Sequence, residues 1–241
     1  MLTLIFCIYT TAICTVMLIV SAVALLVTYP FDKQRKVVHE LSRLLVNMFY
    51  IVPPRWKRQV EGLEYADPKK PYVIVINHRS MTDIMALYFV PLQFRWVSKR
   101  EVFRIPFIGR FLILHGDIAI ERGNGAEAMH KVIEHGKEWL GRGVSVAIFP
   151  EGTRSKDGEI HRFKSGAFAL AKEAGVEILP VVMEGTHSML RKNHMFRWNN
   201  TIKIKILPPV TAQQVAQTDQ KELADMVHAQ MAAALNELRS K

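Results

Sequence analysis

Leu2 to Tyr29 carries no charged residue. At 1.5 Å per residue a helix there would be roughly 40 Å long, enough to cross a ~30 Å hydrocarbon core with tilt. A cleaved signal peptide would begin with basic residues and keep a shorter apolar stretch; no Lys or Arg precedes this run, so an uncleaved membrane anchor is expected. The flank after it is basic. Residues 30–60 hold seven cations (Lys33, Arg35, Lys36, Arg43, Arg55, Lys57, Arg58) against Asp32 and Glu40, a net of +5. The positive-inside rule puts the rest of the chain on the cytoplasmic side. Val37, Val38, Leu41, Leu44, Leu45, Met48, Phe49 and Val52 then recur at helical spacing on one side, and Pro53-Pro54 ends the pattern. Such a helix is expected to lie in the membrane interface, or to form with the first run a hairpin entering one leaflet.

The remaining length allows one domain of ordinary size within 241 residues. Both cysteines, Cys7 and Cys14, fall in the apolar run. This excludes a disulfide framework, a thiolate metal site and a cysteine nucleophile from the rest of the chain. The formal net charge of +10 points to an anionic partner: nucleic acid, anionic lipid or a phosphorylated substrate.

From Glu61 the composition is globular. The β-branched run 73–77 reads as a buried strand, 144–149 as a second, and 94–98, 117–120 and 176–183 as further strands. Residues 201–207 alternate Ile with Thr and Lys, as an edge strand would. Helices are expected from Asn124 through Leu140, over 165–174 up to Gly175, and over 219–238 with Leu223, Val227, Ala234 and Leu238 inward. Strands alternating with helices predict an α/β domain: a mixed, largely parallel central sheet flanked by helices, with an N-terminal membrane-anchoring helix or two-helix motif. The expected division is 1–29 anchor, 30–60 interfacial helix and basic linker, and 61–241 catalytic domain.

Two strand ends carry chemistry. The 73–77 run stops at Asn77-His78, and Asp83 follows five residues after the histidine. On one helix those two side chains would stand about 140° apart at ~100° per residue, so they meet only if the segment turns. Ser80 and Thr82 offer hydroxyls to cap a helix opening near Asp83. The carboxylate then accepts the imidazole N–H, fixes its tautomer and raises its basicity. The 144–149 run ends in Pro150-Glu-Gly-Thr-Arg154. Parallel strands present their carboxyl ends at one edge, so the two clusters face one cleft. Gly152 permits close backbone approach, and Arg154 offers a bidentate fork for phosphate. Lys99 and Arg100, past another strand, add charge. The remaining histidines (39, 115, 130, 135, 161, 187, 194 and 228) have no ligand-like partner at metal spacing.

These residues resemble a known family. Asn77-His78-Arg-Ser-Met-Thr-Asp83 matches the His-x4-Asp block of the 1-acyl-glycerol-3-phosphate acyltransferases. The stretches 98–109, Phe149-Pro-Glu-Gly-Thr-Arg-Ser155 and Ile178-Leu-Pro-Val-Val182 look like its second, third and fourth blocks, in the expected order. The resemblance implies transfer of a fatty acyl group from a thioester, on coenzyme A or acyl carrier protein, to the sn-2 hydroxyl of lysophosphatidic acid, giving phosphatidic acid at a bacterial inner membrane. It implies neither cofactor, metal nor nucleic acid. His78 would be the general base and Asp83 its partner, with Ser80 as an acylated nucleophile the alternative route. Arg154, Gly152 and Thr153 would bind the acceptor phosphate with help from Lys99. Glu151 would orient neighbouring basic groups or an acceptor hydroxyl, and backbone N–H groups near the turn would meet the oxyanion. The alternatives are another lysophospholipid or related acceptor, a metal-dependent phosphoesterase, or a basic membrane-tethered protein that binds anionic lipid or nucleic acid.

Overall fold

The computed structural model describes residues 2–51, 56–121, 125–189 and 200–240. The Pro53-Pro54 stop, the Asn124 helix start and His194 lie outside them. The chain opens with α1 (Leu2–Thr28) and α2 (Lys36–Ile51). There follow β1 (Trp56–Glu61), β2 (Tyr72–Ile76), α3 (Asp83–Ala86), β3 (Phe94–Lys99), α4 (Ile108–His115), β4 (Ile118–Ile120), α5 (Gly125–Gly141) and β5 (Ser145–Ile148). The last elements are α6 (Gly166–Ala174), β6 (Glu177–Glu184), β7 (Asn200–Ile206), α7 (Ala212–Gln217) and α8 (Gln220–Ser240).

The strands form one seven-stranded sheet in the order β1-β7-β6-β2-β5-β3-β4. Every pairing is parallel except β6 with β7. The apolar run read as a buried strand is the central one. All five residues of β2 are buried, and side chains alternate between two cores. Val73 and Val75 face the core under α5, α6 and α8; Tyr72, Ile74 and Ile76 face the core that holds Leu87, Phe94 and Trp96. Each fully buried Val or Ile stabilises the fold by about 1.5–3 kcal/mol, which sets the register of this strand. In α8, Leu223, Val227, Ala234 and Leu238 are buried as their spacing required.

One expectation fails. The alternating strand β7 is not at the edge: it pairs with β6 on one side and β1 on the other. Its period of two arises because Ile202, Ile204 and Ile206 fill a core while Lys203 and Lys205 reach α8 at the Leu238 carbonyl and Glu237. The edge belongs to β1, Trp-Lys-Arg-Gln-Val-Glu, assigned from sequence to the basic linker because it lacks an apolar period. Its exposed Lys57, Arg58 and Gln59 suit an edge that must not pair further.

In α1, Phe6, Ile13, Met17 and Ser21 turn inward. Ile13 and Met17 pack with Leu45 of α2 and Phe111 of α4. The opposite side of α1, including Ile8, Val16, Ile19, Val23 and Leu26, is exposed. The segment Ile5–Thr28 is the one described stretch long and apolar enough to cross a membrane. A buried polar chain fastens α2 to the sheet. His39 Nε2 lies 3.0 Å from the Leu92 carbonyl, His39 Nδ1 lies 2.8 Å from His115 Nε2, and His115 Nδ1 lies 2.9 Å from Asp117 Oδ1. The last oxygen also accepts the Trp96 N–H at 2.7 Å.

Candidate active site

The central strand β2 delivers Asn77 and His78 at its carboxyl end. The Asn77 amide imitates a peptide: it donates to the Met183 carbonyl (2.9 Å) and accepts the Met183 N–H (2.8 Å). This ties the end of β2 to β6 just where the chain must turn away. His78 follows with its main chain held on both sides. Its N–H donates to Glu151 Oε1 at 2.9 Å, and its carbonyl accepts the Ser155 N–H at 2.8 Å. The His78 ring stacks on Phe149 with centroids 3.9 Å apart, and Phe149 stacks on Trp96 at 4.9 Å. These contacts leave the ring few rotamers.

His78 Nδ1 lies 2.9 Å from Asp83 Oδ2. The same oxygen accepts the N–H groups of Arg79 and Ser80, each at 2.8 Å. With two amides already donating to it, Oδ2 acts as an acceptor, so the proton of the third bond sits on His78 Nδ1 and Nε2 keeps its lone pair. The Asp83 side chain is 1% exposed and the His78 side chain 14%. The turn is closed by the carboxylate itself, not by a hydroxyl cap. Thr82 is the residue before α3, yet its side chain caps nothing; it donates to the Thr186 carbonyl at 2.9 Å and lies 3.0 Å from Ser80 Oγ. A short carboxylate reaching back over two amides does what a capping Ser or Thr would do, and also holds the imidazole.

The second cluster comes from the neighbouring strand β5, paired to β2 with Val75 opposite Ile148. Parallel pairing therefore sets 149–155 beside Asn77 and His78. Glu151 is buried and accepts main-chain amides at both oxygens, His78 N–H at Oε1 and His161 N–H at Oε2 (3.0 Å). Burial pushes its carboxyl up, against the pull of those two amides. It braces the loop against His78 through these two main-chain amides and makes no ion pair among the described residues. Gly152 has φ +71°, a conformation that favours glycine, and a Cβ there would displace only the flexible end of Lys164. Thr153 and Arg154 are exposed, and Arg154 has no ion pair among the described residues. Lys99 ends β3 on the same sheet edge. Ser80 is buried in the turn, its Oγ accepting the Thr82 N–H.

The sequence reading passed over a charged strut beneath this edge. Arg79 pairs with Glu184 at the end of β6 (2.7 Å), and Arg239 of α8 joins Glu184 (3.3 Å) to Glu159 (2.7 Å). Arg79 lies inside the recognised block, but nothing in sequence couples it to residues more than a hundred positions away. Among the described residues no three His, Cys, Asp or Glu side chains gather as a metal site.

A family model described as Acyltransferase matches residues 57–198, more than half of the chain. The chain belongs to the acyltransferase family. Among its relatives are the 1-acyl-sn-glycerol-3-phosphate acyltransferases of Chlamydomonas reinhardtii, 32% identical over 86% of this chain and 64% of that protein, and of Arabidopsis chloroplasts, 33% identical over 70% and 48%. The human alpha form is 33% identical over 75% of this chain and 64% of its own. This acyltransferase thus spans about half to two thirds of the length of these curated relatives. Its fold is also that of the crystal structure of the 1-acyl-sn-glycerophosphate acyltransferase from Thermotoga maritima, with a TM-score of 0.76 over 99% of this chain and 96% of that one, at 24% identity.

Proposed function

We propose that this acyltransferase moves a fatty acyl group from a thioester, on coenzyme A or acyl carrier protein, to the sn-2 hydroxyl of lysophosphatidic acid, giving phosphatidic acid. The observation that carries the reading is the His78–Asp83 pair at the strand edge, bonded through its own backbone to the loop that bears Arg154, which has no ion pair among the described residues. The names of the relatives supply the acceptor class.

The chemistry follows from the geometry. A secondary hydroxyl is a poor nucleophile until a base removes its proton during attack. His78 Nε2 takes that proton, and the hydroxyl oxygen forms a bond to the thioester carbonyl carbon. Asp83 stabilises the imidazolium that results. The tetrahedral intermediate collapses with loss of the C–S bond, and the thiolate leaves with the proton returned by His78. A thiolate leaves readily, so no acyl-enzyme is needed, and a buried Ser80 fits direct transfer. The amides of residues 78–80 already donate to Glu151 and Asp83, so the oxyanion takes its donors from outside this turn. Arg154 grips two phosphate oxygens of the acceptor, with Lys99 at the same edge.

The protein works on the cytoplasmic face of a membrane, with α1 lying in one leaflet. Phe111 of the folded domain packs at the middle of α1, against Ile13 and Met17. A perpendicular α1 would drag α4 with its buried His115, and Asp117 just beyond it, into hydrocarbon, whereas a helix in the interface presents only its exposed apolar side. The test of the reaction is purified full chain with labelled acyl-coenzyme A or acyl carrier protein and a panel of lysolipids. Labelled phosphatidic acid formed in preference to other products is the expected result; a product from another lysolipid alone would reassign the acceptor.

A further inference from the structure

A stretch of chain between the sheet and α4 is shaped for something other than chemistry. Phe107 has φ +60° and ψ −61°, and the Ile108 N–H donates to the Pro106 carbonyl at 2.7 Å. That is the rare form of γ-turn, strained for any residue with a Cβ and unusual for an aromatic one. Gly109 holds it in place. A Cβ at Gly109 would fall 1.9 Å from the Phe103 carbonyl oxygen, so the backbone of 103 and the start of α4 touch directly. The Gly109 N–H donates to the Ile105 carbonyl at 2.9 Å. The strain is thus built in.

The turn displays apolar side chains. Ile105 and Ile108 are each 40% exposed, and Ile113 further along α4 is 50% exposed. Past α2, the described residues include only five large exposed hydrophobic side chains, and these three are among them. Arg104 and Arg110 stand beside the turn, exposed and without an ion pair among the described residues. The neighbour settles the partner. Phe111 packs on Ile13 and Met17 of α1, and the Arg35 guanidinium donates to the carbonyls of Ile113 and Leu114 (3.1 and 3.0 Å). The helix that carries Ile108 and Ile113 therefore packs against α1.

We infer that the turn at 104–110 is a second membrane-inserting element, with Ile105 and Ile108 entering the interface next to α1 while Arg104 and Arg110 hold anionic lipid headgroups. It rests on the placement of α1 in one leaflet proposed above. A short apolar tip flanked by cations is the composition such an element needs. Two supports, a helix and a turn, fix the tilt of the domain on the bilayer where one helix would leave it free to roll.

The test uses the full chain with Cys7→Ser and Cys14→Ser, bound to phosphatidylcholine–phosphatidylglycerol vesicles and spin-labelled singly at Ile108→Cys, Val23→Cys or Glu173→Cys. Depth is read from relaxation by oxygen against a water-soluble nickel chelate. The expected result is that labels at 108 and 23 favour oxygen, while that at 173, on the exposed side of α6, favours the chelate. A label at 108 that matches 173 while 23 is inserted overturns this inference and leaves the placement of α1 standing; labels at both 23 and 108 in water overturn both. No turnover is measured, so the outcome is independent of the proposed reaction. Arg104→Gln with Arg110→Gln should cut the preference for vesicles containing phosphatidylglycerol over pure phosphatidylcholine several-fold; an unchanged preference overturns the headgroup contact.

Discussion

Two His–Asp pairs in this protein have the same 2.9 Å contact and opposite meanings. His78–Asp83 sits at the carboxyl end of the central strand, and Nε2 of the ring has no hydrogen-bond partner among the described residues. His115–Asp117 is sealed inside, both side chains 1% exposed. Their hydrogen-bond surroundings differ. In the first, Asp83 Oδ2 accepts three N–H groups and His78 donates. In the second, the chain ends on the Leu92 carbonyl, which can only accept. His39 Nε2 therefore carries a hydrogen, while His115 Nε2 faces both His39 Nδ1 and, at 3.3 Å, the Arg95 guanidinium, which can only donate. Asp117 Oδ1 accepts the Trp96 N–H, and burial pushes the carboxyl up to about 7 against the pull of Arg95. Burial likewise holds His39 and His115 well below the ordinary histidine range. The same two residue types thus make a proposed proton acceptor at the sheet edge in one place and a buried rivet in the other. Position relative to the sheet edge decides which.

The comparison breaks most sharply at the rings. His78→Ala should lower transfer roughly 10²–10⁴-fold with an unchanged fold, because it removes the proposed base and little core area. His115→Ala should do the reverse, keeping the rate per folded molecule but lowering the urea midpoint. Near-normal transfer by a folded His78→Ala protein would remove the assignment. The carboxylates come next. Asp83→Asn should cost on the order of 10²-fold or more in kcat, since an amide selects the wrong tautomer and cannot stabilise the imidazolium. Asp117→Asn should be mild in kcat, because the residue lies away from the strand edge and an amide oxygen at the Oδ1 position still accepts the Trp96 N–H. Equal losses in kcat from the two would show that place in the sheet does not separate the pairs.

Smaller effects refine the picture. Arg154→Lys should raise KM for lysophosphatidic acid about tenfold with little change for the thioester, as a point charge replaces a fork. A changed thioester KM alone would move this loop to the donor. The pH dependence of stability separates the rivet further. The folded pKa of Asp117, about 7, lies above its ordinary 3.8. Its stabilising contribution is therefore complete below the lower value and is lost as pH rises through the higher one. Asp117→Asn lacks this loss, so its stability relative to the native protein should improve between those values by up to ~1.4 kcal/mol per pH unit. The depressed histidines destabilise on acidification below 6.5 in both proteins and cancel. Parallel urea titrations would reveal a flat difference if Asp117 were ionised throughout. Ser80→Ala should change transfer least, within a few-fold; an inactive, folded variant would restore the acyl-serine route.

The elements that could be read in advance were those with a local signal. The uncharged run 2–29, the β-branched run of β2 and the Gly175 stop of α6 each state their structure in a window of a few residues, because period, charge and positive φ are local properties. The strand ends at Asn77-His78 and Pro150-Glu151 followed from those runs, and parallel pairing then required one shared edge. Pairing partners across the chain were not legible. The strand β1 has no apolar period, so its place at the sheet edge, and with it the interior place of β7, depends on which surfaces remain to be covered once the core has closed. Glu151 had the composition of a binding residue, and only the approach of the His78 and His161 amides makes it a brace. The histidines His39 and His115 were read as ordinary, and their chain to Asp117 exists because α2 and α4 are packed over Leu92 and Trp96. A side chain's type is set by the sequence, but its hydrogen-bond partners and dielectric surroundings are long-range properties, and these appear only when distant segments exclude water between them.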